Sequence, residues 1–278
     1  MRNKLASIAL AGLALWIPAC SAEVEDRSTG ATEDGLTSAL PSAAHPGVVL
    51  VHMYTATSGG SCTGELIAPR VVLTAAHCFS ADTKLVRVLP GYDLRKVPFD
   101  GKEGLAAPRV IVHEKWDGDA RNGNDLALIQ LEKPLTTFED TGPFALSPRT
   151  YTVTPLPIRR TPLTEGDVGR RIALVGYGRT INGVTGIIDP AGDVGEKRIG
   201  AATIGAVSAD KLMVGGYAEQ CPGDSGGPVL ETIDGKAQII GISSYSDVKV
   251  GEPRCSRGMN TRLDAYASWI DQSAALLK

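Results

Sequence analysis

Short runs of β-branched and apolar residues recur along most of this chain, and turn residues separate them. The runs are 48–54, 66–74, 85–89, 110–114, 125–131, 171–177, 199–207, 211–214, 228–232 and 238–244. The 32 glycines and 17 prolines are spread evenly, as in proteins with many short strands joined by turns. The dipeptide Asp234-Gly235 between the last two runs is a strong hairpin signal. The pattern predicts an all-β protein with two units of the barrel or sandwich kind.

The Pro-rich stretch 147–162 falls between two sets of strands and indicates a linker. It separates a first barrel at about 46–146 from a second at about 163–278. Apolar residues recur at helical spacing near the end of the chain, namely Leu263, Tyr266, Trp269, Ile270, Ala274 and Leu277. Because this stripe is interrupted, it predicts a packing helix rather than a membrane helix.

Residues 1–20 have the features of a secretory signal. Arg2 and Lys4 precede an apolar run that is shorter than the roughly 20 residues of a membrane span. The stretch IPAC, ending at Cys20, resembles a bacterial lipobox, in which Cys20 would carry lipid. Ordinary cleavage after Ala22 is the alternative. We expect an exported protein that is secreted or lipid-anchored at the cell envelope, with membrane contact only through Cys20.

Residues 21–35 are small, polar and acidic, which is typical of a tether or propeptide, and 36–278 form the folded domain. If Cys20 is removed or lipidated, an even four cysteines remain, which suits disulfides in an exported protein. Four cysteines allow three pairings, so the connectivity stays open.

Few partners or cofactors are indicated. The net charge is −3, the charges are mixed, and no basic tract suggests nucleic acid. Without a Cys-x-x-Cys pair and with only four histidines, no metal site is expected. The acidic residues between Asp93 and Glu103 match a cation loop poorly, so a solvated loop is favoured there. The sequence is silent on the oligomeric state.

The stretch QCPGDSGGPVL places Ser225 among glycines that weaken any strand or helix. A serine hydroxyl is a weak nucleophile until a base accepts its proton, and imidazole is the best base near neutral pH. His77 follows an apolar strand, and Asp125 is the single charge opening another. Alone, such a histidine is more often structural and such an aspartate more often a turn residue. Together, in the order His, Asp, Ser, they indicate nucleophilic catalysis.

Three segments, LTAAHC, NDLALIQL and CPGDSGGP, resemble the signatures of the trypsin/chymotrypsin-like serine protease family. The resemblance extends over about 46–270. It implies two antiparallel β-barrels with a C-terminal α-helix and the active site between the barrels. It also implies a serine endopeptidase of protein or peptide substrates that works without a cofactor. The alternative is a catalytically inactive homologue that serves as a surface binding module, although no triad residue is missing.

The resemblance assigns a role to each residue. Ser225 is the nucleophile, His77 the general base and then acid, and Asp125 the orienting carboxylate of a reaction through an acyl-enzyme. The N–H groups of Gly223 and Ser225 form the oxyanion hole, whereas Gly226 and Gly227 keep side chains away from the substrate.

We expect two disulfides in this arrangement. Cys62–Cys78 would hold the His77 loop, and Cys221–Cys255 would hold the wall of the substrate pocket.

In this family Asp224 pairs with an amino terminus freed by cleavage. The usual Ile-Val-Gly-Gly is absent, and the aligned stretch here begins at Leu36. We therefore expect cleavage near Gly35–Leu36 and pairing of the Leu36 amine with Asp224.

The resemblance also places the floor of the substrate pocket at Glu219, six residues before the nucleophile. The walls are Gln220, Ser244, Tyr245, Ser246 and the segment near Gly258. A carboxylate on the floor favours Lys or Arg before the cleaved bond. Alternatively, Glu219 turns aside and pairs with Lys249 or Arg254.

Overall fold

The computed structural model describes residues 39–140, 149–182, 187–188, 194–246, 255 and 257–277. The strands within these residues are β1 (Leu40–Pro41), β2 (Val48–Tyr54), β3 (Gly59–Ala68), β4 (Val71–Thr74), β5 (Leu85–Leu89), β6 (Leu105–Ala106), β7 (Arg109–Val112), β8 (Ala127–Gln130), β9 (Thr137–Asp140), β10 (Arg149–Thr152), β11 (Arg171–Gly176), β12 (Ile181–Asn182), β13 (Ile187–Ile188), β14 (Arg198–Val207), β15 (Lys211–Gly215), β16 (Pro228–Ile233), β17 (Lys236–Ser246) and β18 (Gly258–Arg262). The helical elements are three 3₁₀ turns (Ala76–Cys78, Ala120–Asn122 and Glu165–Asp167) and α1 (Ala267–Ala275). No helix in this part of the chain is both long and apolar enough to cross a membrane.

The first large sheet is antiparallel, with the order β6-β5-β2-β3-β4-β8-β7. Its edge strands β6 and β7 are consecutive in the chain and are separated only by Ala107 and Pro108. The sheet therefore curls into a half-barrel. Its apolar core includes Val51, Leu66 and Ile129, all with no exposed surface.

The second large sheet closes on itself. Its order is β1-β14-β11-β16-β17-β18-β15, and β14 also pairs with β15, so six strands form a closed barrel. The start of β14 pairs with β1, and its second half pairs with β15. The hairpin between β16 and β17 turns at Asp234 and Gly235, which have φ angles of 50° and 73°. Positive φ at both positions is the geometry that an Asp-Gly hairpin favours, so the predicted hairpin is confirmed.

A shared apolar core joins the two barrels to α1. It contains Leu50 and Leu128 of the half-barrel, Ile242 of the closed barrel and Ile270 of α1. The buried Tyr177 lies in the same cluster and donates a hydrogen bond from its hydroxyl to the Val48 carbonyl, 3.1 Å away. The structure confirms the predicted fold class, an all-β double barrel with a C-terminal helix.

One prediction about strands is wrong. The run 66–74 is two strands, because the chain turns at Pro69 and Arg70. The stretch 147–162 is more than a linker, since β10 pairs with β9. Its continuation donates hydrogen bonds to both barrels, from Leu156 N to the Leu66 carbonyl and from Arg159 N to the Ile239 carbonyl.

Strand β18 escaped prediction because its sequence, GMNTR, is polar. Asn260 in this strand is fully buried and satisfies its amide with hydrogen bonds to the carbonyls of Leu212 and Gly258. A polar strand can lie inside the protein when its donors are paired in this way.

Candidate active site

His77 and Asp125 meet where strands β4 and β8 lie side by side. His77 is in the 3₁₀ turn after β4, and Asp125 lies just before β8. Asp125 accepts two hydrogen bonds from His77, one from its backbone N–H at 2.9 Å and one from ring Nδ1 at 2.8 Å. The carboxylate has no exposed surface, whereas the imidazole side chain is 30% exposed. The pair thus leaves part of the ring exposed to solvent and fixes its Nδ1 edge.

The closed barrel also holds Asp125. The Ser244 hydroxyl donates to the same carboxylate oxygen as His77 Nδ1, and the Thr261 hydroxyl donates to the Asp125 backbone carbonyl at 3.1 Å. Burial disfavours the charged carboxylate, but the hydrogen bonds and charge of His77 and the hydrogen bond of Ser244 outweigh it, and the pKa of Asp125 is lowered. Asp125 is therefore a carboxylate.

This contact gives Ser244 a position that the sequence did not predict. Ser244 was expected only as a wall of the substrate pocket, yet its side chain is buried against Asp125. The sequence signal for it was weak, since serine is ordinary in a strand.

The turn that carries Ser225 is docked on the half-barrel. The Ser225 carbonyl accepts a hydrogen bond from Thr63 N at 2.8 Å, and the Thr63 hydroxyl donates to the Gly223 carbonyl at 2.9 Å. Thr74 in turn donates its hydroxyl to the Thr63 carbonyl at 2.7 Å. Ser225 is partly exposed, and among the described residues no hydrogen bond joins its hydroxyl to His77.

Gly226 allows this close approach. Its φ is +78°, and an added Cβ would lie 2.1 Å from Thr74 Oγ1 and 2.5 Å from the Thr63 carbonyl oxygen. A Cβ on Gly227 would lie 2.6 Å from the Val175 carbonyl oxygen. An added side chain at either glycine would therefore meet protein atoms, and the expected role of these glycines toward a substrate stays a prediction.

Asp224 is buried beneath the same turn. Its carboxylate oxygens accept from Gly178 N at 2.8 Å and Cys221 N at 3.0 Å. Burial raises the pKa of Asp224 to about 7. Among the described residues no cation lies within ion-pair distance, and Leu36 is outside the described residues.

The predicted pocket residues lie together on the closed barrel. Ser246 is opposite Gly258 in the β17–β18 ladder, and the Gln220 side chain lies against Gly258. A Cβ at Gly258 would be 1.4 Å from Gln220 Oε1, so the glutamine occupies the space that Gly258 leaves open. Gln220 donates through Nε2 to Asn260 Oδ1 at 2.7 Å.

Glu219 directly precedes Gln220 and is half-buried. Burial raises its pKa, and the charge of Arg257 opposes this rise. The alternative partners Lys249 and Arg254 lie outside the described residues.

Two disulfides hold the site. Cys62–Cys78 links β3 to the His77 turn, and Cys221–Cys255 links the Ser225 turn to the segment before β18. These are the two expected pairs.

In the described part of the chain, Cys62, Cys78 and His77 also form one group close enough to share a metal ion. The sulfur atoms of Cys62 and Cys78 are bonded to each other, however, and so are not thiolate ligands. Cys20 lies outside the described residues.

Comparison with known proteins agrees with this geometry. The family model described as Trypsin matches residues 40–270. The chain is 26% identical over 222 residues to cationic trypsin-3 of Rattus norvegicus, covering 77% of this chain and 80% of that protein.

Two further relatives are longer chains. Melanization protease 1 of Drosophila melanogaster is 28% identical, over 77% of this chain and 58% of that protein. Phenoloxidase-activating factor 3 of Holotrichia diomphalia is 30% identical, over 79% of this chain and 66% of that protein. With the family model covering most of the chain, the protein belongs to the trypsin family of serine proteases.

Proposed function

We propose that the protein is a serine endopeptidase in which Ser225 attacks the peptide carbonyl, His77 carries the proton and Asp125 orients His77. The observation that carries the proposal is the buried Asp125 carboxylate, which binds both the backbone and Nδ1 of His77. This arrangement fixes the tautomer with Nε2 free to accept a proton, and it stabilises the imidazolium that forms. His77 then returns the proton to the leaving amine, and water hydrolyses the acyl-enzyme.

The turn before Ser225 supports an oxyanion hole. Gly223 has a φ of +102°, a conformation that favours glycine. Within the described residues, neither the N–H of Gly223 nor that of Ser225 is used in a hydrogen bond, whereas the neighbouring N–H groups of Asp224 and Gly226 are. These two free donors suit the negative charge that develops on the attacked carbonyl oxygen.

The test is labelling with a fluorophosphonate, which reacts with an activated serine. We expect labelling at Ser225 that is lost in Ser225→Ala and strongly reduced in His77→Ala and Asp125→Ala, with losses that do not add because the residues act as a unit.

The matched control is Ser61→Ala. Ser61 also bonds a histidine, with its Oγ 2.7 Å from His52 Nδ1, but it lies in strand β3 and not in the Ser225 turn. Labelling should persist in this variant. A folded chain that begins at Leu36 and is never labelled would support the binding-module alternative, and labelling of Ser61 instead would reject Ser225.

We extend the proposal to cleavage after basic residues. A half-buried carboxylate at Glu219 favours a cationic side chain, and glutamate, which is longer than aspartate by one methylene, shortens the pocket and suits Lys better than Arg. A peptide library read by mass spectrometry tests this. Equal cleavage after Leu, Phe or Ala, unchanged by Glu219→Gln, would exclude Glu219 as the specificity determinant.

We further propose export, with lipid on Cys20, and maturation by cleavage near Gly35–Leu36. Strand β1 begins four residues beyond Leu36 and pairs with β14 of the closed barrel, so the proposed cleavage site lies only four residues before a strand of the folded domain. Intact mass and N-terminal sequencing of protein from the native host test both points. An unmodified Glu23 terminus would exclude the lipid, and full activity of a chain that still carries 23–35 would exclude the maturation step.

A further inference from the structure

We propose that Glu65 is a proton-dependent switch at the junction of the two barrels. With its carboxyl group protonated, Glu65 packs in the shared apolar core. When the proton leaves, the carboxylate has to reach water, and the junction that holds the Ser225 turn loosens. The inference goes beyond the proposed hydrolysis, because it concerns the pH range in which the two barrels stay packed together.

The first support is a buried acid without partners. Glu65 has no exposed surface, and neither of its carboxyl oxygens has a hydrogen-bond partner in the structure. By contrast, the buried Glu231 is paired with Arg159 and Arg170, each at 2.7 Å. An ionised carboxylate without a partner is too costly to bury, so such a group takes up a proton instead. Burial accordingly raises the pKa of Glu65 well above its usual range.

The second support is the position of Glu65 between the barrels. On β3 it is directly opposite Val48 of β2 and Leu73 of β4, and directly opposite residues share a face of the sheet. Val48 and Leu73 have no exposed surface and belong to the shared apolar core, together with Leu230 and Ile242 of the closed barrel. The Glu65 side chain is therefore on the face of the half-barrel that packs against the closed barrel.

Thr63 connects this position to the active-site turn. It is two positions before Glu65, so the two side chains lie on the same face of β3. The Thr63 N–H donates to the Ser225 carbonyl at 2.8 Å, and its hydroxyl donates to the Gly223 carbonyl at 2.9 Å. The same hydroxyl accepts from Tyr177 N at 3.1 Å. A movement of β3 that lets water reach Glu65 would therefore disturb the bonds that hold the Ser225 turn.

The other titratable groups around the shared core do not take the place of the proton. The strands on either side of β3 contribute Val48 and Leu73, which do not titrate. The Tyr177 hydroxyl donates to the Val48 carbonyl at 3.1 Å, and Lys197 Nζ donates to a backbone carbonyl at 3.0 Å. Asp224 accepts from two backbone amides. Burial, and no charge among these groups, is the cause of the raised Glu65 pKa.

The pH dependence has a definite sign. Above the ordinary pKa of 4.5, the unfolded chain releases the Glu65 proton that the folded chain still holds. The contribution of Glu65 to stability is therefore complete below this pH and is lost as the pH rises toward the pKa of the folded state. The folding equilibrium constant falls by up to about tenfold for each pH unit in this range.

The first experiment is urea unfolding of the full chain between about pH 5 and about pH 8, for the wild type, Glu65→Gln and Glu65→Met. Both variants are close to Glu65 in size and have no proton to lose. The folding equilibrium constant of the wild type should fall relative to that of either variant, by up to about tenfold for each pH unit. Should Glu65→Gln not fold, Glu65→Met decides, since it carries no unpaired polar atom.

The matched control for this experiment is Glu165→Gln, because Glu165 is exposed on the third 3₁₀ turn. Its stability relative to the wild type should be the same at every pH. Parallel pH curves for the wild type and the Glu65 variants would overturn the proposal.

Hydrogen exchange separates a switch from an acid that is merely buried. The Thr63 N–H crosses between the barrels to Ser225, whereas the Lys84 N–H stays within the half-barrel, bonded to the Tyr54 carbonyl at 2.8 Å. At about pH 8, Thr63 should exchange about 10-fold faster in the wild type than in Glu65→Gln, and Lys84 equally fast in both. Equal exchange of Thr63, or an equal change at Lys84, would refute an opening of the junction. Neither measurement depends on catalysis, so both test Glu65 whether or not a fluorophosphonate labels Ser225.

Discussion

Gly226→Ala tests how the two barrels meet. The glycine has a φ of +78°, and an added Cβ would lie 2.1 Å from Thr74 Oγ1, 2.5 Å from the Thr63 carbonyl oxygen and 2.7 Å from Ala75 N. Two of these three atoms belong to the backbone, so a side-chain rotation of Thr74 cannot relieve the clash. The turn must move away from strands β3 and β4, and Ser225 must move with it.

The magnitude follows from two costs. The left-handed backbone costs alanine about 1–2 kcal/mol relative to glycine. Overpacking against fixed atoms adds about 1–3 kcal/mol, which gives roughly 2–5 kcal/mol in total. Gly235→Ala is the matched control, because Gly235 has a φ of +73° and nothing lies within 4 Å of its added Cβ. Gly235→Ala should show only the cost of the left-handed backbone.

The assay is urea unfolding of both variants, with fluorophosphonate labelling of the folded protein. With a slope of about 1–3 kcal/mol per molar urea, Gly226→Ala should unfold roughly 1 M earlier than Gly235→Ala. Labelling should fall only in Gly226→Ala. Equal midpoints for the two variants, or full labelling of Gly226→Ala, would show that close contact between the barrels is not why a glycine is needed.

Three other outcomes follow from single contacts. Ser244→Ala removes a charge-assisted hydrogen bond to Asp125, so kcat/KM should fall about 10-fold with little change in KM, and an unchanged kcat would contradict this. Burial lowers the pKa of Lys197 to about 7 from an ordinary 10.5. Between these two pH values the unfolded chain holds a proton on Lys197 that the folded chain lacks, so the free energy of unfolding should rise with pH. Urea unfolding of Lys197→Met at several pH values should not show this rise. Loss of the Cys62–Cys78 disulfide through paired alanines should cost about 3 kcal/mol in chemical unfolding, and an unchanged midpoint would show that the bridge adds no stability.

The sequence predicted the parts of the site that local chemistry dictates. A histidine after an apolar strand, an aspartate opening another and a serine among glycines are each visible as short segments. Antiparallel pairing of β4 and β8 then brings His77 and Asp125 together, although 48 positions separate them. The Asp-Gly hairpin could also be predicted from the sequence, because two positive φ angles restrict the residue types that can occupy the turn.

The contacts that cross between the barrels could not be predicted. Thr63 and Ser244 have ordinary sequence surroundings, and their roles arise only when β3 and β17 lie beside the active-site turn and Asp125. Glu65 is likewise one charge among 31 aspartates and glutamates until the register places it between Val48 and Leu73. Such residues depend on tertiary pairing rather than on local pattern.

The two disulfides have a consequence for the covalent connection between the two barrels. Cys62–Cys78 lies within the half-barrel, and Cys221–Cys255 lies within the closed barrel. Among the described residues, the two barrels are therefore linked covalently only by the polypeptide backbone. His77 and Ser225 belong to opposite sides of that junction. A single nick in the connecting segment near β10 would leave His77 and Ser225 on separate polypeptides. The proposed catalysis would then depend on the noncovalent contacts of the shared apolar core that hold the two fragments together.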